Sequence, residues 1–275
     1  MPAQPTPEDR IARHRRYLMC RPEFFEVSYS INPWMEPSRP SSAELATAQW
    51  EVLYRRVVEL GHDVELIEPV PGLPDMVYAA NGATVIDSKV LGVRFRHPER
   101  RAEELPYFNW FSSRGMAAQA PEEINEGEGD LLLAGEHILA GCGFRTSIEA
   151  HAEAQEYFGR PVIGLELVDP RFYHLDTALA VLGDGEIMYY PAAFTPGSLR
   201  VLQRLFPNAV LADDTDADVF GLNAISDGRH VLLSHEATGL AKQLRDRGYE
   251  PIGIDLSELR KGGGGVKCCI LEMRA

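Results

Sequence analysis

The sequence predicts an α/β protein built as a five-fold pseudo-symmetric propeller of strand-strand-helix-strand units, and three observations lead there. Four segments, starting at Asn81, Asp130, Asp176 and Asn223 and therefore 46–49 residues apart, share one pattern: a polar residue, a short apolar run, a turn, and a second short apolar run. A stretch with helical spacing follows most of them, and a further short apolar run closes the unit. Upstream, a strong helix and one strand lack a hairpin of their own, and the last apolar run of the chain can complete them as a fifth unit. Units of this period bury their apolar faces against neighbours, and a ring of them leaves no open sheet edge.

Taken in order, residues 1–16 carry Pro2, Pro5, Pro7 and the run Arg13-His-Arg-Arg16 without the apolar core of a secretion signal. They are expected to form a flexible polar lead-in to one domain over residues 17–275. Residues 41–60 read as a helix, with Ser41 and Glu44 as a capping box and Gly61 as its stop, followed by the strand HDVELIEP from His62. The hairpin turns are Asp87-Ser88, Gly135-Glu136, Gly183-Asp184-Gly185 and Asp227-Gly228, all residues that accept tight geometry. After the second hairpin, Thr146 and Glu149 are expected to cap a helix ending at Gly159. After the third, Thr195-Pro196 opens LRVLQRLF, and after the fourth, Ser234 opens a helix with Leu240 and Leu244 on one face and Gly248 at its end. The closing strands are PVIGLEL from Pro161, NAVLA from Asn208 and PIGIDL from Pro251, and residues 266–273 are expected to pair with residues 17–27.

Composition excludes several classes. The formal net charge of −14 makes a poor surface for phosphate backbones, so nucleic acid is not an expected partner. Apolar runs are too short to span a bilayer. The four cysteines, at 20, 142, 268 and 269, contain no C-x-x-C pair and suit neither a disulfide framework nor a zinc knuckle. A reducing, cytoplasmic location is expected, with no metal and no organic cofactor. Homo-oligomerisation is compatible with the sequence but not specified by it.

Chemistry concentrates in a few places. Cys268 follows Gly262-Gly-Gly-Gly-Val-Lys267, a run whose exposed backbone suits close approach of a ligand. His174-Leu-Asp176, read as a strand, puts an imidazole and a carboxylate on one side. The loop Glu126-Gly-Glu128-Gly-Asp130 crowds acids whose repulsion a cation would relieve. Earlier in the chain stand Asn32 before a proline, Asp75 and Asn81 flanking MVYAA, and Arg100 in FRHPER.

In this order, an Asn, an E-G-x-G-D loop, H-x-D and a terminal G-G-x-x-x-C resemble the guanidino-group modifying superfamily, which includes arginine deiminases, dimethylarginine dimethylaminohydrolases, arginine dihydrolases and glycine amidinotransferases. The resemblance spans residues 17–273 and implies the pentein propeller and a covalent amidine intermediate. It implies Cys268 as nucleophile, His174 as proton carrier, and Glu126 as the carboxylate gripping the guanidinium. Glu128 is the alternative grip, since this loop is one residue longer than the deiminases' E-G-G-D. Asp130 and Asp176 support, Asn32, Asn81 and Asp75 line the pocket, and Arg100, or its neighbour Arg101, holds the substrate's α-carboxylate. The implied substrate is a small cationic guanidino compound, arginine or N-methylated arginine, cleaved at a C–N bond. Two alternatives stand beside it: an amidinotransferase that passes the amidine to an acceptor amine, and a non-catalytic ribosome-binding propeller.

Overall fold

The computed structural model describes residues 10–183 and 185–275. The chain folds as a mixed α/β protein with five three-stranded sheets. In chain order its elements are β1 (Arg16–Cys20), α1 (Ala43–Glu59) and β2 (Asp63–Ile67). Then come β3 (Thr84–Ile86), β4 (Lys89–Leu91), α2 (Glu104–Ser112) and β5 (Ala117–Gln119). The next unit has β6 (Leu131–Ala134), β7 (His137–Cys142), α3 (Glu149–Phe158) and β8 (Val162–Glu166). After it stand α4 (Leu175–Ala178), β9 (Leu179–Gly183), β10 (Glu186–Tyr189), α5 (Pro196–Leu205), β11 (Val210–Leu211) and α6 (Asp214–Asp218). The chain ends through β12 (Ile225–Ser226), β13 (His230–Ser234), α7 (Thr238–Asp246), β14 (Glu250–Ile254) and β15 (Leu271–Glu272).

Every sheet has the same build: the first strand runs antiparallel to the middle one, and a helical crossover returns the third strand parallel to the middle one. The fifth sheet is assembled from both ends of the chain, with Tyr17 opposite Glu272 and Leu18 opposite Leu271. Asp87 and Ser88 take positive φ angles of 52° and 60° in the first hairpin turn, as a two-residue turn matched to strand twist requires. Asp184 of the third turn lies outside the described residues. The helices are amphipathic and bury one side: Trp50, Leu53 and Val57 of α1, Leu240 and Leu244 of α7. Among the described residues, no helix is long and apolar enough to cross a membrane.

Several local expectations need correction, each for a hydrogen-bonding reason. Ser42, not Ser41, caps α1, because the Ser41 hydroxyl accepts the amide of Val27. Thr146 does not cap α3, which begins at Glu149; its hydroxyl accepts the amide of Glu126. Ser234 belongs to β13 rather than to the start of α7. The final strand is shorter than residues 266–273, because the glycine run leads into a turn that contains Cys268. Of the polar lead-in over 1–16, residues 1–9 lie outside the described residues. The rest is docked: Arg10 pairs with Glu186 and covers the Tyr249 ring, and the Arg13 amide bonds to Asp227.

Glu128 ties the fold's ends together. Its carboxylate is fully buried and takes Lys267 Nζ at 2.6 Å, the Arg274 guanidinium and the backbone amide of Glu272. Removing one member of a buried charge cluster leaves the others uncompensated, at a cost of about 3–5 kcal/mol. Glu128→Ala is therefore expected to lower unfolding free energy by that amount in urea titrations; a change within about 0.5 kcal/mol, the size typical of an uninvolved surface site, would contradict this account.

Candidate active site

Several of the residues singled out for chemistry, joined by Asn223, occupy one structural slot, the loop that precedes the first strand of a unit. Asn81 comes before β3, Glu126 and Asp130 before β6, His174 and Asp176 before β9, Asn223 before β12, and Cys268 before β15. Each loop bonds to another. Asn81 Nδ2 donates to the Glu126 carbonyl at 3.1 Å, His174 meets Glu126 at 2.7 Å, and Asn223 Nδ2 donates to the Asp176 carbonyl at 3.1 Å. The amide of Ala80 donates to the Cys268 carbonyl at 3.0 Å.

Cys268 is 2% exposed. Its thiol donates toward Asp176 Oδ2 at 3.5 Å, while Asn223 reads both sides of the residue: Nδ2 donates to Sγ at 3.1 Å and Oδ1 accepts the Cys268 amide at 3.1 Å. Burial, and then the Asp176 carboxylate, push the thiol well above its ordinary value. The glycines before it are required by space. Gly263 has φ +89°, and a Cβ there would fall 2.6 Å from Asn32; one on Gly264 would fall 2.3 Å from the Tyr78 ring.

Glu126 is buried, yet it stays charged. Burial alone would raise its carboxyl, but Arg145 at 2.9 Å, His174 and Arg100 outweigh it and hold the group well below the usual carboxylate range. An ionised carboxylate only accepts, so His174 Nε2 must carry the proton donated to it. His174 Nδ1 is then the free nitrogen, and it is buried without a partner. Asp176 moves the other way: burial, only partly offset by His174 and Lys267, pushes it up to about 6. Two buried carboxyls thus have opposite tendencies in one site. Asp176 Oδ1 and Asp75 Oδ1 are also buried acceptors without partners.

Some expected roles do not match the geometry. His174-Leu-Asp176 is not a strand; His174 is extended at the N-terminus of α4, and Asp176 lies within that short helix. The imidazole is oriented by Glu126 rather than by Asp176. Glu128 is engaged by Lys267 and Arg274, not by the site. Asp130 spends both oxygens on backbone, the amides of Leu175 and Thr146, and so fixes the His174 loop instead of binding a ligand.

Arg100, expected to hold a carboxylate, is buried and already committed. It makes paired bonds to Glu103 at 3.0 and 2.8 Å and a bond to Asn81 at 2.8 Å, with Asp75 at 3.7 Å and its guanidinium over the Phe95 ring. Asp75 accepts from Tyr29 at 2.8 Å, and its carboxyl is raised by burial against the opposing pull of Arg100. Asn32 donates to the Gly262 carbonyl and accepts from the Trp34 amide, which holds its segment against the glycine run.

Sequence reading missed Arg145, Asn223 and Tyr173. Arg145 joins Glu126 to the carbonyl of Ile31 at 2.8 Å and lies over the Tyr173 ring, whose hydroxyl donates to the Gly263 carbonyl at 2.6 Å. For Asn223 a signal was present, since it opens the fourth repeat as Asn81 opens the first. Among the described residues no cluster of three or more His, Cys, Asp or Glu is arranged to hold a metal ion.

No family profile matches the chain. It is 54% identical over 268 residues to an N(G),N(G)-dimethylarginine dimethylaminohydrolase of Mycobacterium tuberculosis, covering 98% of this chain and 89% of that one. It is 36% identical over 266 residues to the bifunctional arginine dihydrolase/ornithine cyclodeaminase ArgZ of Synechocystis sp., covering 94% of this chain but only 37% of that protein. A substrate-bound structure of the N-terminal domain of ArgZ superposes with a TM-score of 0.91 at 34% identity, covering 94% of this chain and 98% of that one. A structure of a dimethylarginine dimethylaminohydrolase adduct, at 19% identity and a TM-score of 0.78 with 94% and 99% covered, shares the fold. With 54% identity running over 98% of this chain and 89% of the Mycobacterium tuberculosis protein, the chain belongs to the guanidino-group modifying superfamily, in the branch that holds the dimethylarginine dimethylaminohydrolases and arginine dihydrolases.

Proposed function

We propose that this protein hydrolyses a C–N bond in the guanidinium group of N-methylated arginine or arginine, with Cys268 as nucleophile and His174 as proton carrier. The observation that carries the reading is the burial of a thiol, an imidazole with a free nitrogen, and carboxylate oxygens without donors in one set of adjoining loops. Buried acceptors without partners are costly in an empty site and are relieved by a ligand rich in N–H groups. A guanidinium is planar, cationic and supplies five such donors when it is singly substituted. We assign Asp176 and Asp75 to its recognition, Glu126 to holding His174, and Asn32 and Asn81 to shaping the walls.

The reaction balances as follows. The cation beside Cys268 favours the thiolate that burial otherwise disfavours, and the proton lost by sulfur passes to His174 Nδ1. Sulfur bonds to the guanidinium carbon, the C–N bond to the leaving amine breaks, and His174 returns the proton to that nitrogen. Water then attacks the S-amidino intermediate while His174 takes its proton; the C–S bond breaks and a ureido product leaves. Entry of substrate requires the segment at residues 31–34 to move, since it bridges Arg145, the glycine run and Arg171.

The 54% identity supports dimethylarginine as substrate. Arginine hydrolysis is the second reading, supported by the fit to the ArgZ domain. We also propose that the five units close as a propeller forming one domain over residues 17–275, supported by the bonds that run between the pre-strand loops. We place the protein in the cytoplasm, supported by four free cysteines. We retain a homo-oligomer as compatible with these features.

Incubation of the purified chain with dimethylarginine and with arginine, followed by identification of products, tests the reading. Citrulline with dimethylamine marks the first substrate; ornithine with two molecules of ammonia and carbon dioxide, formed when a second hydrolytic round on the same carbon follows the first, marks the second; transfer to an added amine would overturn hydrolysis. Cys268→Ser should abolish turnover of every guanidino compound, whereas Cys269→Ser should retain it; an active Cys268 variant would refute the assignment. The free thiol should alkylate slowly with iodoacetamide at neutral pH, and a cationic guanidino ligand too small to block sulfur should accelerate it; retardation by such a ligand would contradict substrate-assisted ionisation.

Asp176 makes a pH prediction. Its carboxyl lies near 6 when folded against an ordinary 3.8, so the folded state binds the extra proton between these values. Charging it therefore costs stability progressively as pH rises through that window, and fully above about pH 6. Asp176→Asn should remove turnover yet raise stability near neutral pH by up to about 3 kcal/mol, a gain that fades toward pH 4. In the parent enzyme kcat/KM should fall as pH drops through about 6, because a neutral Asp176 no longer attracts the cation; a flat profile from pH 5 to 8 would refute this role.

A further inference from the structure

Independently of how the catalytic centre is read, we propose a second ligand site for a small monocarboxylate with a short apolar tail. It lies in a cavity of about 130 Å³, roughly ten times the 10–15 Å³ that one water needs. The walls come from the first strands of three units and from the C-terminal strand, and include Leu132, Leu182 and Ile270. Arg15, Lys267 and Arg274 line it as well.

The cavity's charged lining, Arg15, Lys267, Arg274 and Glu272, is backed by the buried Glu128, and the ion pairs among them are unbalanced. Glu128 pairs with Lys267 and Arg274, and Glu272 pairs with Arg15 at 3.2 Å and Arg274 at 2.8 Å, so three cations face two carboxylates. Asp176 also draws on Lys267 from beyond contact distance, but within contact distance the shell holds one more cation than carboxylate. Donors are also in surplus. Arg15 Nε is shielded from solvent and has no acceptor. Lys267 uses two of its three N–H groups, on Glu128 and on the Ile270 carbonyl. A single carboxylate would neutralise the excess and accept from both, while the leucine and isoleucine walls take an aliphatic tail. A sulfate would leave those walls uncovered, and a neutral amide would leave the charge unmatched. Lys267 is the covalent neighbour of Cys268, so the cavity and the catalytic thiol share one turn of chain.

The test is calorimetric titration of the full chain with sodium butyrate at constant ionic strength. Butyramide serves as the neutral isostere and sulfate as the anion without a tail. One saturable butyrate site per chain is expected, with no saturation by butyramide and weaker binding of sulfate. Arg15→Gln removes donors from a side chain that is a quarter exposed. Gly183→Leu adds an apolar side chain to a lining residue without altering any charge, and a Cβ there meets nothing within 4 Å. Each variant should weaken butyrate binding by at least about tenfold, and protein alkylated at Cys268 should still bind it. Absence of saturable butyrate binding, affinity unchanged in both variants, equal binding of butyramide, or loss on alkylation of Cys268 would each overturn the proposal; the last would move the anion to the catalytic centre.

Discussion

The site depends on a charge that the protein keeps ionised where water cannot reach it. Glu126 has no solvent exposure, and it remains a carboxylate because Arg145 stands 2.9 Å away and His174 donates to the same oxygen, Oε2. Removing Arg145 would leave a buried charge unmatched, which proteins avoid by neutralising the group. A neutral Glu126 would cease to require a donor from His174, and the imidazole would lose both its tautomer and its orientation. Arg145 reaches further still, to the carbonyl of Ile31, so the same guanidinium that charges Glu126 also holds the segment that Asn32 ties to the glycine run.

The repeat explains how residues so far apart in sequence meet. Each unit contributes the loop before its first strand, and this slot receives Asn81, Glu126, His174, Asn223 and Cys268 in turn. The repeated scaffold supplies five equivalent positions, and chemistry is set by what stands in each. Asp130 shows the division of labour: it occupies the same loop as Glu126 but serves backbone amides at Leu175 and Thr146, building the platform on which His174 sits. Supporting polar groups of this kind are what hold reacting groups within a fraction of an ångström of working geometry.

The opposite tendencies of Glu126 and Asp176 give the site its range. One carboxyl is pinned in its charged form by fixed cations; the other is buried with weaker compensation and responds to what binds. The thiol follows Asp176: burial, and then that carboxylate, push it well above its ordinary value.

What the sequence by itself determined is most of the set of elements, and it supplied the candidates for the chemistry. Hairpins announced themselves through turn residues such as Asp87-Ser88, helix faces through spacing such as Leu240 and Leu244, and Cys268, His174 and Glu126 through motif order. These signals are local, carried by residues within a few positions of one another. Which partner each group would take was decided only by the fold. Thr146 had a helix to cap or an amide of Glu126 to hold, and packing chose the second. Arg100 had a substrate carboxylate or Glu103 to meet, and burial left only Glu103, Asn81 and Asp75 within reach. Glu126 and Glu128 are chemically alike and two residues apart, and only the three-dimensional placement of Arg145 beside one and of Lys267 with Arg274 beside the other separates an active-site carboxylate from a structural one. Pairings across tens of residues depend on distance and desolvation, and neither quantity is written in a linear pattern.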